Sequence, residues 1–551
     1  MKKAIKNISA IKELLAKKIN SPADLMRAKR EVAKKYGIKI LRNSDILKKA
    51  DKNSELYKIL RKRAVRTLSG IAPVAVLTKP YPCPGKCVFC PTEKDVPKSY
   101  LSNEPAVMRA IRNKYNPYKQ VQMRLKALEA NGHNPTKIEL IVIGGTWSVL
   151  PKKYKFWFIA SCFKAANEYG GKINDKFQIT NQVQNPKFKI QNFYKALLFE
   201  QKKNEKAKYK IIGLTLETRP DYVNEKEVLE MRELGCTRVE LGVQATDDKI
   251  LKLNKRGHGA KEISAATKLL KDFGFKITYH IMPGLPGSTA KKDLIMFKSL
   301  FKNEKFQPDQ IKFYPTVVTK GSLLYEWWKK KKYKPYSDKV LQKLIIDCKK
   351  VVPEYVRIIR LIRDIPAESI EAGNIITNLR QIMQDKRVKC RCIRCREAKN
   401  KKFSIFNFQF SIIEYKASGG KEYFIQAESK DGKTLYGFCR LRLTAPLIRG
   451  GWGVINIFRN EQSPLPPFIK GVKTGGVALI RELHVYGELV PIGGKKKVQH
   501  AGLGKMLMAE AEKIARVEGL KKIAVIAGVG VRGYYRKLGY KLENTYMVKE
   551  L

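Results

Sequence analysis

Six short apolar, β-branched runs punctuate the first two thirds of the chain, at 73–78, 138–143, 211–216, 238–243, 277–282 and 310–314, with helical stretches between them. Strands alternating with helices predict a parallel α/β sheet, and the sites of α/β barrels lie at the carboxyl ends of such strands. Upstream, Ile5, Ile8, Ile11, Leu15 and Ile19 recur at helical spacing and predict an amphipathic helix. A helical stretch over 366–400 ends in CRCIRCRE, and aromatic and β-branched runs begin at Phe403, so a domain boundary is expected near residue 400. After it come a strand over 478–486, a glycine loop, a helix over 505–516 whose Leu507, Ala511 and Ile514 share a face, and a strand over 522–527. The Gly- and Pro-rich stretch 447–476 lacks sustained periodicity and reads as a surface insertion.

Charge adds a partner to this outline. Lys and Arg total 111 against 50 Asp and Glu, a formal +61 over 551 residues, which points to a polyanion and above all to nucleic acid. Residues 1–70 carry 21 basic and 6 acidic side chains, about twice their even share of the net charge, so the first helix is expected to be basic; a second basic run, Arg61, Lys62, Arg63 and Arg66, follows. No apolar stretch approaches the ~20 residues of a membrane span and the start lacks a signal-peptide pattern, so a soluble, cytoplasmic protein is expected.

Ten cysteines do not form a disulfide pattern: six sit in two compact clusters, and Cys162, Cys236, Cys348 and Cys439 are scattered singly. Cys83, Cys87 and Cys90, in YPCPGKCVFCPT after the first predicted strand, have C-x3-C-x2-C spacing. Three thiolates suit a 4Fe-4S cluster with one iron left open to a small-molecule amine and carboxylate. A structural zinc site and ordinary buried thiols are the competing readings. Cys390, Cys392 and Cys395 form C-x-C-x2-C, for which structural zinc is expected, with Cys439 the first residue to test as fourth ligand. The interleaved Arg391, Arg394 and Arg396 are candidates for phosphate contacts.

The glycine loop Gln499, His500, Ala501, Gly502, Leu503 and Gly504 opens a helix, where unpaired N–H groups and the positive dipole end suit a pyrophosphate; a plain turn is the alternative. With its flanking strands and GYYRKLGY it resembles the acetyl-CoA fold of GNAT acetyltransferases. The first triplet resembles the radical S-adenosylmethionine (SAM) superfamily. From about residue 60 onward the chain resembles the catalytic subunit of Elongator, through KSYLSNEPAVMRA, GGT, LETRPD, RVELGVQ, NKRGH, YHIMPGLPGST, QIKFYPTVVTKG, IRLIRDIPAESIEAGN, CRCIRCRE, RELHVYG and YYRKLGY.

The resemblance implies an α/β protein: residues 1–70 as a basic tRNA-binding segment, 71–365 as a partial (β/α)6 radical-SAM barrel, 366–400 as a zinc-binding linker and 401–551 as a GNAT domain. It implies a tRNA uridine carboxymethyltransferase. Cleavage of SAM would yield a radical that takes hydrogen from the methyl of acetyl-CoA, the carbon radical would add to carbon 5 of the wobble uridine, and thioester hydrolysis would leave a carboxymethyl group. Gly144 and Gly145 resemble the strand end that contacts the methionine amine of SAM. Lys98, Tyr100, Glu104 and Arg109 would follow the cluster loop toward cofactor or uridine, with Lys98, Tyr100, Tyr534 and Tyr535 as the catalytic candidates. Glu482, Leu483, His484 and Val485, with the glycine loop and both tyrosines, would line the coenzyme site. Arg109, Arg219 and Lys312 have a structural reading beside the functional one, and His280, in an apolar strand, reads as a satisfied core histidine. The expected partners are tRNA through its anticodon stem-loop, acetyl-CoA and an electron donor, and the resemblance admits a homodimer. The rival readings are a protein lysine acetyltransferase with a structural cluster and a non-catalytic nucleic-acid scaffold.

Overall fold

The structure, a computed structural model, describes residues 2–52, 54–61, 67, 69–171, 190–399, 408–444, 477–487 and 502–551. The insertion expected at 447–476, the loop residues Gln499, His500 and Ala501, and the basic residues Lys62, Arg63 and Arg66 lie outside the described residues.

Four helices open the chain: α1 (Lys2–Ala16), α2 (Pro22–Tyr36), α3 (Asn43–Leu47) and α4 (Glu55–Leu60). They enclose a small core of their own in which Ala10, Leu14, Val32 and Ile46 are fully buried. The inner face of α1 differs from the expectation: Ile5 and Ile8 are 56% and 50% exposed, while Ala10, Ile11 and Leu14 turn inward. An isoleucine count weights large residues, whereas the close approach of α2 favours alanine at the contact. In α2, Ser21 caps the first turn by accepting from Asp24 N and Gly37, at φ 58°, ends the helix in the left-handed region.

The first sheet contains β1 (Ala72–Leu77), β2 (Lys137–Ile143), β3 (Lys210–Thr218), β4 (Arg238–Gln244), β5 (Lys276–Ile281), β6 (Gln310–Phe313) and β7 (Arg357–Arg360), all parallel and in chain order. This is the expected open α/β half-barrel with one strand more than the six expected. The seventh, RIIR, has only two apolar positions between arginines and shows no strand-length run.

The second sheet has the order β13-β14-β12-β11-β10-β9-β8, from β8 (Phe408–Ala417), β9 (Gly420–Ser429), β10 (Leu435–Thr444), β11 (Val477–Val485), β12 (Lys522–Val525), β13 (Lys541–Glu543) and β14 (Tyr546–Glu550). All its pairs are antiparallel except β11 with β12, which the helix Leu503–Val517 connects. That helix lies on the sheet: a Cβ on Gly437 of β10 would stand 3.2 Å from Leu507 and 3.3 Å from Leu503.

The second sheet closes the amino-terminal rim of the half-barrel. Tyr546 donates to Phe273 O just before β5, and Gly528 leaves so little room that a Cβ there would overlap Ile212 O of β3 at 2.0 Å. Between the two units lies a cluster of charges with no water contact. Arg481 of β11 bonds Asp309 at 2.5 Å and Glu422 of β9 at 2.9 Å, Arg442 bonds Glu422 at 3.1 Å, and Lys271 reaches Glu422 at 3.3 Å. Burial alone would raise the Asp309 carboxyl, but Arg481, Lys271 and Arg440 hold it far below its usual range. Removing one partner from such a cluster leaves an uncompensated buried charge, a loss of roughly 3–5 kcal/mol.

Candidate active site at the two ends of the half-barrel

The loop after β1 carries the first cysteine triplet, with Cys87 buried and Cys83 and Cys90 half-buried. Neighbouring elements hold the loop by its backbone: Val88 N donates to Asn254 O at 3.2 Å, Leu324 N donates to Val88 O at 2.9 Å, and Lys98 Nζ donates to Gly85 O at 2.8 Å. Arg256 Nη1 stands 3.0 Å and Arg219 Nη1 3.9 Å from Cys87 Sγ. A hydrogen bond from Cys90 and then these guanidiniums, working against burial, bring the Cys87 thiol down to about 5. The loop therefore favours the thiolate, the form that binds iron. Three thiols on one loop, two of them half-buried and the third against two guanidiniums, fit a cluster whose remaining iron is open to a ligand.

At the end of β2, Gly144 and Gly145 take φ of +135° and +97°, and a Cβ on Gly144 would fall 2.1 Å from Thr78 Oγ1. Only glycine fits there. Thr78 Oγ1 is buried with no partner among the described residues, and Thr146 Oγ1 lies 3.9 Å from Cys83 Sγ. Gly144 is thus packed on Thr78, while Gly145, whose Cβ would meet only Lys98 O at 3.8 Å, leaves open backbone beside the cluster loop, as a bound amine requires.

The interior of the half-barrel is polar. The ladder sets Glu217 of β3 beside Glu240 of β4, and His280 of β5 beside Lys312 of β6. His280 Nε2 lies 2.9 Å from Glu240 and its Nδ1 3.6 Å from Glu217, and Lys312 pairs with Glu240. Lys312 and His280 hold the Glu240 carboxyl well below its usual range against the cost of burial. Below this layer, Arg238 pairs with Glu139 at 2.8 Å. Above it, Tyr100 donates to Glu217 at 2.9 Å with Arg363 over its ring. His280 is satisfied, as expected, but by carboxylates rather than by an apolar core.

Of the residues expected after the cluster loop, Lys98 and Tyr100 reach the site, and Glu104 supports it by accepting from Arg363 at 3.1 Å and from Leu101 N at 3.1 Å. Arg109 does not join them; it folds back on its own helix to Pro105 O. Arg219 is buried and bidentate on Asp221 at 3.0 and 2.7 Å. Sequence reading assigned no role to Glu217, Glu240, Arg256 or Arg363, although all four lie in the motifs that carried the resemblance. For Glu217 and Glu240 the signal was a charged residue inside an otherwise apolar strand; Arg256 and Arg363 lie in loops, where a charge gives no such signal.

At the coenzyme end, β11 and β12 pair only over Ala478–Ile480 with Ile523–Val525, after which β11 runs on to Val485 and the strands part. Gly502, at φ 90°, starts the helix at the mouth of this wedge. Leu503 is buried beneath it, and a Cβ on Gly504 would meet the Tyr534 hydroxyl at 2.8 Å. That hydroxyl is buried with no hydrogen-bond partner among the described residues, and burial pushes it up to about 12. An orphaned donor above a glycine helix start fits a bound pyrophosphate or thioester. Tyr535 is instead packed among Tyr534 and Tyr540, at ring distances of 5.2 and 6.0 Å, and serves the core. The side chains of Glu482 and His484 also turn away from the wedge: Glu482 pairs with Lys276 at 2.6 Å, and His484 contacts Ser69 O at 2.9 Å. Leu483 and Val485, on the opposite face of β11, are half-buried, and a Cβ on Gly504 would stand 3.8 Å from Val485.

The second triplet is tight. Cys390, Cys392 and Cys395 place their sulfurs within 4.8 Å of one another, around the short turn Ile393–Arg396. Cys439 is not their fourth partner: it is fully buried in β10, near Tyr534 and Tyr535. A four-residue helix brings three thiols together, whereas the register of β10 turns Cys439 toward the helix Leu503–Val517. Lys349 Nζ, 3.5 Å from Cys395 Sγ, is the positive neighbour. Arg396 is not free for phosphate, because it is buried on Glu428 and Gln426, each at 2.8 Å; Arg391 and Arg394 pair with Glu354 and Glu397 nearer the surface.

The Radical SAM superfamily matches residues 81–297, and the Radical_SAM C-terminal domain matches residues 308–389. The chain is 42% identical to the tRNA uridine(34) acetyltransferase of Dehalococcoides mccartyi, over 89% of this chain and 100% of that protein. It is 37% identical to human Elongator complex protein 3, over 98% and 96%. A solved structure of archaeal Methanocaldococcus infernus Elp3 lacking residues 1–46 matches with a TM-score of 0.68 and 38% identity, covering 88% of this chain and 99% of that one. Among the described residues, no helix is long and apolar enough to cross a membrane.

Proposed function

This chain belongs to the family of the tRNA uridine(34) acetyltransferases and Elongator complex protein 3, and from that premise we propose that it forms 5-carboxymethyluridine at the wobble position of tRNA anticodons. The observation that carries the reading is that one chain holds a cysteine loop on its first sheet and a glycine wedge on its second, and that buried ion pairs of Asp309 and Arg481 fasten the two sheets together. When bound, a 4Fe-4S cluster and SAM supply a carbon-centred radical able to abstract hydrogen, with the electron coming from an external donor.

The residues would divide the work as follows. Cys83, Cys87 and Cys90 hold the cluster, Arg256 and Arg219 keep Cys87 as thiolate, and the backbone of Gly144 and Gly145 contacts the amine of SAM, with Gly145 leaving the room for it. Lys98 fixes the cluster loop through Gly85 O, and Tyr100, held by Glu217 and Arg363, faces the reacting space. Gly502 and Gly504 present helix N–H groups to acetyl-CoA, and Tyr534 donates its free hydroxyl to it. Cys390, Cys392 and Cys395 hold a structural zinc ion that fixes the linker between the sheets. Residues 1–70 form the basic tRNA-binding unit, 71–365 the radical unit, 366–400 the linker and 401–551 the coenzyme-binding unit.

The test is anaerobic incubation of tRNA with the protein, SAM, acetyl-CoA and a reductant, followed by nucleoside mass spectrometry. The expected product is uridine heavier by a carboxymethyl group. Acetylation of a basic peptide without SAM, with tRNA left unmodified, would instead make the chain a lysine acetyltransferase.

A further inference from the structure

Residues 327–336 read WWKKKKYKPY: five lysines interleaved with four aromatic rings and no acidic residue. All five lysines are exposed, and among the described residues none of Lys330, Lys331, Lys332 and Lys334 has a carboxylate partner. Beside them is a cleft of about 500 Å³ whose walls include Pro286, Ser288, Trp327, Lys332, Tyr333 and Tyr336. The rings are fixed in place: Tyr333 donates to Gly284 O at 2.7 Å, and Tyr336 donates to the buried Asp293 at 2.8 Å while its ring would lie 3.3 Å from a Cβ on Gly284. Their hydroxyls are spent, so what they offer a ligand is half-exposed aromatic surface already held in one orientation.

The cleft belongs to the end of the half-barrel that carries the cluster loop. Its floor follows β5, and Asn254 joins the two directly, donating to Pro286 O at 3.0 Å through its side chain and accepting from Val88 N at 3.2 Å through its carbonyl. The helix Leu323–Lys329 is fixed to the same loop through Leu324 N and Val88 O.

We propose that this cleft and its lysine run hold single-stranded RNA, seating a nucleotide of the substrate's loop next to the one that reacts; the proposal rests on the tRNA reading above. Fixed rings stack bases of any identity and unpaired lysines track the phosphates, the combination by which proteins bind single strands. An acidic protein segment would use the lysines but not the rings.

The test is fluorescence anisotropy of the full chain with a labelled anticodon stem-loop RNA over a range of salt. Replacing Lys330, Lys331, Lys332 and Lys334 by Gln, all on the surface, should flatten the slope of log affinity against log salt by about 2–3, since each single-strand phosphate contact contributes about 0.7. Trp327→Ala should weaken binding roughly 5- to 150-fold at fixed salt, the size of one lost stacking contact. A quadruple variant with unchanged slope and affinity would overturn the cleft while leaving the tRNA reading intact. A wild-type chain that does not bind the RNA would remove that reading and the cleft with it. Polyglutamate displacing the RNA as well as unlabelled RNA does would also overturn the proposal, in favour of an acidic protein ligand.

Discussion

The two cysteine triplets hold the same three side chains in nearly the same sequence spacing and sit in different surroundings. Cys83, Cys87 and Cys90 lie spread over a Pro- and Gly-rich loop at the open carboxyl end of the half-barrel, with two arginines against Cys87 and glycine-lined backbone opposite. Cys390, Cys392 and Cys395 converge within 4.8 Å between the two units, with Lys349 alongside Cys395 and Glu397, two residues further on, bonded to Arg357 of β7. A triplet with guanidiniums and glycine backbone around it suits a cluster that takes a ligand on one iron. A tight triplet between packed units suits a single ion that ties segments together. Spacing in sequence proposes a metal; the surroundings separate the two uses.

The contrast breaks first at Cys87. Cys87→Ser should abolish the reduced-cluster signal in electron paramagnetic resonance and reduce deoxyadenosine release to background while leaving zinc content unchanged; a surviving signal would remove this triplet from the cluster. Cys392→Ser should do the reverse, losing one equivalent of zinc by elemental analysis and lowering the thermal midpoint by several degrees, because metal binding there is folding energy. Iron lost in equal measure would mean that the triplets are not independent.

Smaller effects sharpen the comparison. Arg256→Gln removes the nearest cation from Cys87 and should weaken cluster retention roughly 10-fold or more, as loss of an outer-shell partner does. The readout is iron content after timed chelation, and unchanged retention would reduce Arg256 to packing. Lys349→Met should matter least, changing zinc retention by less than ~10-fold, because one lysine beside a closed site is not needed to hold its ion. A larger loss would give the two triplets the same electrostatic design.

Much of this was legible in the residues. The six predicted strands fall within two residues of those observed, because buried parallel strands are written as continuous apolar runs. β7 escaped notice because a four-residue strand between arginines carries no such run. The first helix was found but its inner face was misjudged at Ile5 and Ile8, since spacing gives a period and the neighbour decides its phase. Cys439, Arg396, Tyr535, Glu482 and His484 had the right chemistry for the roles expected of them and point elsewhere. In a strand or a short helix a single register step decides which site a side chain meets.

The sequence by itself determined the two cysteine triplets, the glycine loop, the alternation of strands and helices and the excess of positive charge, because each is a local pattern of residue types. Tertiary structure alone decided that Arg256 would stand against Cys87, that Glu217, Glu240, His280 and Lys312 would line one polar interior, and that Asp309, Glu422 and Arg481 would join the two units. Such charges are buried far apart in the chain, and they are stable only where the fold brings opposite partners within hydrogen-bond reach and leaves water out.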